Sequence, residues 1–140
     1  MRTDNDTFCM DMAKRVAQQS SAVRSKVGAI IVRGDNVLAL GYNGTPRGWD
    51  NCCEHIHDNE LVTKPEVLHA ESHALAKIAR STQSSKGATL YVTLAPCLEC
   101  SKLLAQCGIL RVVYLDDYRN SDGIDLLDKC GVIVNKYKGD

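Results

Sequence analysis

TLYVTLAPCLECSKLLAQCGILRVVYL, residues 89 to 115, decides the fold. Thr89 to Leu94 alternates β-branched, aromatic and aliphatic residues and reads as a strand. Leu98 to Gln106 carries apolar residues at helical spacing, and Arg111 to Leu115 reads as a second strand. A strand, a helix and a strand in succession begin the alternation that implies a mostly parallel sheet covered by helices. Working outward, Phe8, Met12 and Val16, flanked by Cys9, Ala13 and Ala17, line one face of a helix from about Asp6 to Gln19. Ala29 to Val32 and Val37 to Leu40 are short apolar runs separated by Gly34 and Asp35, which predicts an antiparallel hairpin. Leu68, Ala70, Ala74, Leu75, Ile78 and Ala79 predict a helix to about Arg80; a short helix near Ile124 to Lys129 and a strand at Val132 to Tyr137 complete the order αββαβαβαβ. That alternation predicts a mostly parallel sheet with helices on both faces. From Gly41 to Pro65 the periodicity stops, and the stretch reads as a long irregular excursion that needs something to hold it.

Composition narrows the class. The chain has 140 residues, 44% apolar and 24% charged, the balance of one globular domain spanning 1–140. Lys plus Arg and Asp plus Glu both number 17. Zero net charge argues against a surface made for nucleic acid or anionic membrane, so a nucleotide partner is expected to be small. No run approaches the ~20 apolar residues of a membrane span. Met1 to Asp11 carries three aspartates and no apolar core of a signal peptide, so a cytoplasmic location is expected. Seven cysteines in such a chain point to metal ligation or burial rather than disulfides.

Two clusters carry chemistry: His69-Ala70-Glu71, and Pro96-Cys97-Leu98-Glu99-Cys100. Alone, Cys97 and Cys100 read equally as a redox pair or as buried thiols. With His69 they make three ligands for Zn²⁺ and leave a fourth position for water, the arrangement of a catalytic rather than a closed site. Zinc lowers the pKa of such water to about 7. Glu71 has the chemistry of the proton carrier. Residues two apart in a regular helix point roughly 200° apart, so His69 and Glu71 share a site only if His69 stands at the very start of the helix. The order H-x-E then P-C-x-x-C is the signature of zinc nucleobase deaminases.

On these residues the chain resembles the cytidine and deoxycytidylate deaminase superfamily. Val27 to Val32, Gly41-Tyr42-Asn43-Gly44-Thr45-Pro46 and Gly87 to Thr93 are similar to its deoxycytidylate branch, above all to phage and bacterial members. The likeness runs from about Lys26 to Val134. It implies a three-layer α/β/α sandwich around a five-stranded mixed sheet, and hydrolysis of dCMP to dUMP and ammonia, which supplies dUMP for thymidylate synthesis. By resemblance, His69, Cys97 and Cys100 hold the catalytic zinc, Glu71 moves protons as hydroxide attacks cytosine C4, Asn43 bonds the sugar, and Tyr118-Arg119 contact the 5′-phosphate. An arginine fork suits a phosphate. The plain alternatives are a solvated Arg119 and an Asn43 that serves the turn. The resemblance further implies a homo-oligomer, commonly a hexamer, activated by dCTP and inhibited by dTTP. The effectors bind with Mg²⁺ at a separate site near the Gly-Tyr-Asn-Gly turn, to which Lys26, Gly41, Asn43 and Gly44 are assigned.

The long excursion contains Asn51-Cys52-Cys53-Glu54-His55-Ile56-His57. Phage relatives anchor a second, structural zinc in a similar stretch. Cys52 matches that position, and Cys52, His55 and His57 with Glu60 or Glu66 are expected to close such a site, against solvated histidines and buried thiols. Cys53 is a further candidate ligand. Cys9, Cys107 and Cys130 are expected in the core. His73 stands where the family usually has asparagine. Four residues after His69, it offers a further metal ligand, a place beside the ligands or at a subunit contact, or a hydrogen bond in place of the amide; the middle reading is preferred because three ligands are already supplied. Competing functions are a metalloprotease, for which Glu71 is wrongly spaced, a tRNA adenosine deaminase, which calls for a basic surface, and a free-nucleoside deaminase, which gains nothing from Tyr118-Arg119. A zinc-stabilised module that senses nucleotides without turnover leaves Glu71 without a purpose.

Overall fold

The computed structural model describes residues 5–139. In chain order the elements are α1 (Asn5–Ala17), β1 (Gly28–Arg33), β2 (Asn36–Tyr42), β3 (Glu54–His57), β4 (Glu60–Thr63), α2 (Ala70–Ala79), β5 (Thr89–Leu94), α3 (Leu98–Gln106), β6 (Arg111–Asp116), α4 (Asp122–Lys129) and β7 (Ile133–Lys136). Five strands make one sheet in the order β2-β1-β5-β6-β7. β1 runs antiparallel to both β2 and β5, whereas β5, β6 and β7 are parallel. The mixed sheet is therefore present, but alternation alone overstates its parallel share. The hairpin makes β1 antiparallel to β2, and the connection through α2 carries the chain past β1 so that β5 runs the same way as β2, which leaves β1 antiparallel to both neighbours.

Alternation along the central strands sorts two cores. Ala29 and Ile31, Leu90 and Val92, and Val112 face α2, α3 and α4 with Leu104 and Leu127. Ile30, Val32, Tyr91 and Val113 face α1, where they meet Cys9, Met10 and Ala13. This period-two division produces the three layers, because each face must be covered by helix. The buried face of α1 is shifted from the one read in the sequence: Met10 is fully buried and Phe8 is 62% exposed.

The stretch from 41 to 65 is not irregular throughout. β3 and β4 form a hairpin with Glu54 opposite Thr63 and His57 opposite Glu60. Its turn is Asp58-Asn59, both with positive φ of 52° and 65°, the backbone of a type I′ hairpin turn that these residue types favour. Among the cysteines, Cys9 and Cys53 are buried, but Cys107 is only half-buried and Cys130 is exposed. Both of the latter stand at helix C-termini, where the apolar face has run out. Among the described residues no helix is long and apolar enough to cross a membrane. The acidic N-terminal reading falls partly on residues 1–4, outside the described residues.

Candidate metal centre and substrate cavity

Two helix N-termini converge at the carboxyl end of β5. His69 is the residue before α2, in an extended conformation with φ −76° and ψ 158°, and Cys97 occupies the same place before α3 with φ −73° and ψ 173°. Because His69 is out of the helix, the angular conflict with Glu71 disappears, and the two share one cavity. The segment before His69 is pinned by Gly44, whose N–H donates to Leu68 O (3.1 Å) and whose carbonyl accepts from Leu68 N (2.7 Å). Cys100 lies in the first turn of α3, three residues on.

His69 Nδ1 lies 3.4 Å from Cys97 Sγ and 3.3 Å from Cys100 Sγ. Zinc with ordinary Zn–N and Zn–S bonds in tetrahedral geometry sets such donors about 3.6 Å apart, so the donor set fits a tetrahedral ion. Hydrogen bonds from the Cys100 thiol and His69 hold the Cys97 thiol down at about 3. Cys100 is pushed well above the usual thiol range by its bond to Cys97 and by burial. His69 is raised, chiefly by its bond to Cys97. A cation in place of the shared protons would satisfy both thiolates, and the two helix N-termini favour negative charge here. Glu71 is 4% exposed, and burial pushes its carboxyl up to about 7.

The cavity over this centre has a volume of about 550 Å³. Asn43, Tyr118 and Arg119 line it with His69, Glu71 and Cys97. The Asn43 amide also serves the turn: Oδ1 accepts from Val27 N (2.8 Å), and Nδ2 donates to Ser25 O (2.7 Å). One N–H and one lone pair are left for a ligand. The Arg119 guanidinium sits over the Tyr118 ring, 5.3 Å from its centre. Sequence reading missed Arg24, Thr63, Lys64, Pro65 and Val67, which complete the wall. The turn Asp58-Asn59 was the available signal, since it brings Thr63 back beside Glu54.

Other expected residues are placed as follows. Among the described residues, only His69, Cys97 and Cys100 bring three ligand atoms within 4.8 Å; Cys52, His55 and His57 are not gathered into such a set. Cys52 Sγ donates to Glu54 O (3.1 Å), His57 faces Asp58 (3.4 Å), and the Glu66 carboxylate accepts from Trp49 Nε1 (3.2 Å). Strand pairing and these local bonds hold the hairpin. His73 is bonded through its backbone N–H to His69 O (2.9 Å), but its ring does not join the three-ligand set. Its Nδ1 bonds the Tyr42 backbone (2.9 Å to O, 3.2 Å to N), and its ring packs edge-on against Tyr42, as an asparagine amide would bond. Burial and the nearby Lys77 and Arg80 push its pKa down. The four residues assigned to a regulatory nucleotide do not converge. Asn43 faces the metal cavity, Lys26 is exposed, and only Gly44 lines a second cavity of about 570 Å³ with Tyr42, Arg47, His73 and Lys77. Gly41 is packed under α2: a Cβ there would stand 2.3 Å from Ala70 O.

Fold and site together define a class: an α/β/α protein that offers a His/Cys/Cys set for one tetrahedral zinc, with a buried carboxyl beside it, as metal-dependent hydrolases do. The chain belongs to the cytidine and deoxycytidylate deaminase family, whose zinc-binding region model matches residues 3–116. It is 38% identical to the deoxycytidylate deaminase of Schizosaccharomyces pombe, over 94% of this chain and 44% of that protein. It is 32% identical to the deoxycytidylate deaminase of Enterobacteria phage T4, over 89% of this chain and 86% of that one. The chain thus spans less than half of the Schizosaccharomyces pombe protein, and less than half of the deoxycytidylate deaminase of Saccharomyces cerevisiae, to which it is 36% identical. The dCMP deaminase of cyanophage S-TIM5, solved in complex with dCMP and dUMP, superposes with a TM-score of 0.92 at 44% identity, covering 98% of this chain and 99% of that one.

Proposed function

We propose that this chain, as a single domain, hydrolyses dCMP to dUMP and ammonia. The observation that carries the reading is that one cavity is lined by His69, Cys97 and the buried Glu71 together with the Tyr118–Arg119 pair, with Cys100 completing the donor set behind its wall. The S-TIM5 relative, with dCMP and dUMP bound, supports the substrate. His69, Cys97 and Cys100 would hold the zinc, and bound zinc would supply a Lewis acid that makes water acidic near neutral pH. Glu71, with a carboxyl near 7, can hold a proton at neutral pH and release it. Its place on the cavity wall suits it to take protons one at a time from the attacking water, passing the first to cytosine N3 and the second to the 4-amino group that leaves as ammonia. Asn43 offers its spare N–H and lone pair to the sugar, and the Arg119 fork offers paired donors to the phosphate. The test is ammonia release from dCMP, dCTP, CMP, cytidine and deoxycytidine, with zinc measured per chain. dCMP is expected to be the preferred substrate at one zinc per chain. Equal or better turnover of the nucleosides would refute it.

The same reading extends to assembly and control. A homohexamer is supported by large apolar side chains left exposed on several elements, among them Phe8 on α1, Leu103 on α3 and Ile133 on β7. Regulation by dCTP and dTTP with Mg²⁺ is supported by the second cavity, where Arg47, Lys77 and Arg80 supply positive charge beside Gly44. Unchanged dCMP kinetics on adding either nucleotide would remove that part. A cytoplasmic location suits a centre that needs two reduced thiols.

A further inference from the structure

Asn43–Gly44 is the one place in the chain where an asparagine precedes a glycine. That pair has a chemistry of its own. A glycine has no Cβ to keep its amide nitrogen away from the preceding side chain, so the Gly44 nitrogen, once hydroxide has taken its proton, can attack Asn43 Cγ. The Cγ–Nδ2 bond breaks, the side-chain nitrogen takes a proton from water and leaves as ammonia, and a five-membered succinimide remains. Water then opens either of its carbonyls, giving aspartate or isoaspartate, so water is the only co-reactant.

In the folded chain the two reacting groups are tied to different segments. Asn43 Oδ1 accepts from Val27 N (2.8 Å) and Nδ2 donates to Ser25 O (2.7 Å), which holds the electrophile against the segment before β1. The Gly44 N–H donates to Leu68 O (3.1 Å), which holds the nucleophile against the segment before α2. The Asn43 carbonyl accepts from Ser20 Oγ (2.7 Å), and Ser20 is buried. The turn itself does not demand a glycine at 44: its φ is not positive, and a Cβ there would meet nothing nearer than the Tyr42 ring at 4.0 Å. Residues 18–27, which supply three of these bonds, contain neither helix nor strand, so they can open without unfolding the sheet. We propose that Asn43–Gly44 is a self-modification site that native hydrogen bonds keep inert, that opening of residues 18–27 releases, and whose conversion silences the metal cavity. Asn43 lines that cavity. Conversion sets a carboxylate oxygen against Ser25 O, where an N–H donor stands in the native chain, and adds negative charge to a wall that faces a nucleotide anion. The silencing rests on the reading of the cavity as a nucleotide site; the modification does not.

The test incubates the full chain at mildly alkaline pH, in buffer and in urea, and follows the peptide containing Asn43 by mass spectrometry, with isoaspartate counted by enzymatic methylation. In urea that peptide is expected to gain one mass unit about 100-fold faster than in buffer, because the bonds to Ser25, Val27 and Leu68 must all break before the attack. Ser20→Ala should speed conversion of the folded chain about 5-fold, and Gly44→Ala should slow it in urea by crowding the nitrogen. Should Ser20→Ala not fold, wild type in urea below its unfolding midpoint gives the same reading, with conversion rising ahead of global unfolding. No conversion in urea overturns the site, equal rates in urea and buffer overturn the lock, and a rate that rises only with global unfolding overturns its release by residues 18–27. For Asn43→Asp, calorimetric affinity for dUMP is expected to fall about 10- to 100-fold with zinc per chain unchanged; unchanged affinity overturns the silencing. If the wild type does not bind dUMP, the nucleotide reading fails by itself, and the mass and isoaspartate results still decide the modification.

Discussion

Glu71 is the side chain whose chemistry is most exposed to test. Its carboxyl is buried beside three metal-ligating side chains and raised to about 7 by desolvation, so it is suited to exchange a proton near neutrality. Glu71→Gln keeps the shape and removes that capacity. Activity on dCMP is expected to fall by about 10²- to 10⁴-fold, with bound zinc unchanged by atomic absorption; loss of zinc together with activity would make Glu71 a ligand instead. Cys97→Ser and His69→Ala are expected to do the opposite, lowering zinc per chain in step with activity, because each removes a donor from a three-donor set. His73 shows how far a single letter can mislead. Its spacing from His69 suits a metal site on paper, yet its ring is spent on the Tyr42 backbone.

At the scale of elements, the site depends on where two helices begin. α2 lies close against β2 because Gly41 has no side chain: a Cβ would meet Ala70 O at 2.3 Å and Ala74 N at 2.6 Å, both backbone atoms that cannot swing away. Gly41→Ala should push the start of α2 off the sheet and with it His69 and Glu71. An overpacking cost of about 1–3 kcal/mol is expected, read as a lower urea midpoint with unchanged slope, together with a larger fractional loss of activity than of stability. The glycine stands out in the sequence as part of a Gly-Tyr-Asn-Gly turn, and helix packing by itself requires it. The β3–β4 hairpin was legible in principle from Asp58-Asn59 and escaped notice because only Ile56, Leu61 and Val62 break its polar run. Ile56 is 74% exposed, so no core face imposes the alternation by which strands are recognised.

Across the whole molecule, one ion pair ties the first helix to the middle of the sheet. Arg111 at the start of β6 donates from both Nη atoms to the two oxygens of Asp6 (2.9 and 2.8 Å), and the Tyr91 hydroxyl donates to the same carboxylate (2.6 Å). The hydrogen bond from Arg111 holds the Asp6 carboxyl below its ordinary value of 3.8. A depressed folded-state pKa stabilises the fold above the unfolded value, and the contribution is lost as pH falls through the folded one. Asp6→Asn is therefore expected to cost about 1–3 kcal/mol at pH 7. In urea titrations the gap between wild type and variant should close as pH drops below about 4. A gap independent of pH would assign the effect to packing.

By itself the sequence determined the candidate donor set for a metal and the frame that carries it. The order H-x-E then P-C-x-x-C names its donors outright, and the strand-helix-strand run from 89 to 115 has periods that local sterics alone impose. His69, Glu71, Cys97 and Cys100 were readable because each is a residue type that ligates or moves protons, set at short, fixed spacing. Only the tertiary structure decided what depends on segments distant in the chain. It set β1 antiparallel to β5, where the alternation of elements suggests parallel. It turned Asn43 into both turn brace and cavity wall. It also carried Arg24 to the cavity of Arg119 through Glu54, 30 residues away in sequence. The physical reason is that spacing along a chain fixes geometry only within a helical turn or a strand. Beyond that range, position is set by which surfaces bury one another and which backbone donors each buried carboxylate finds.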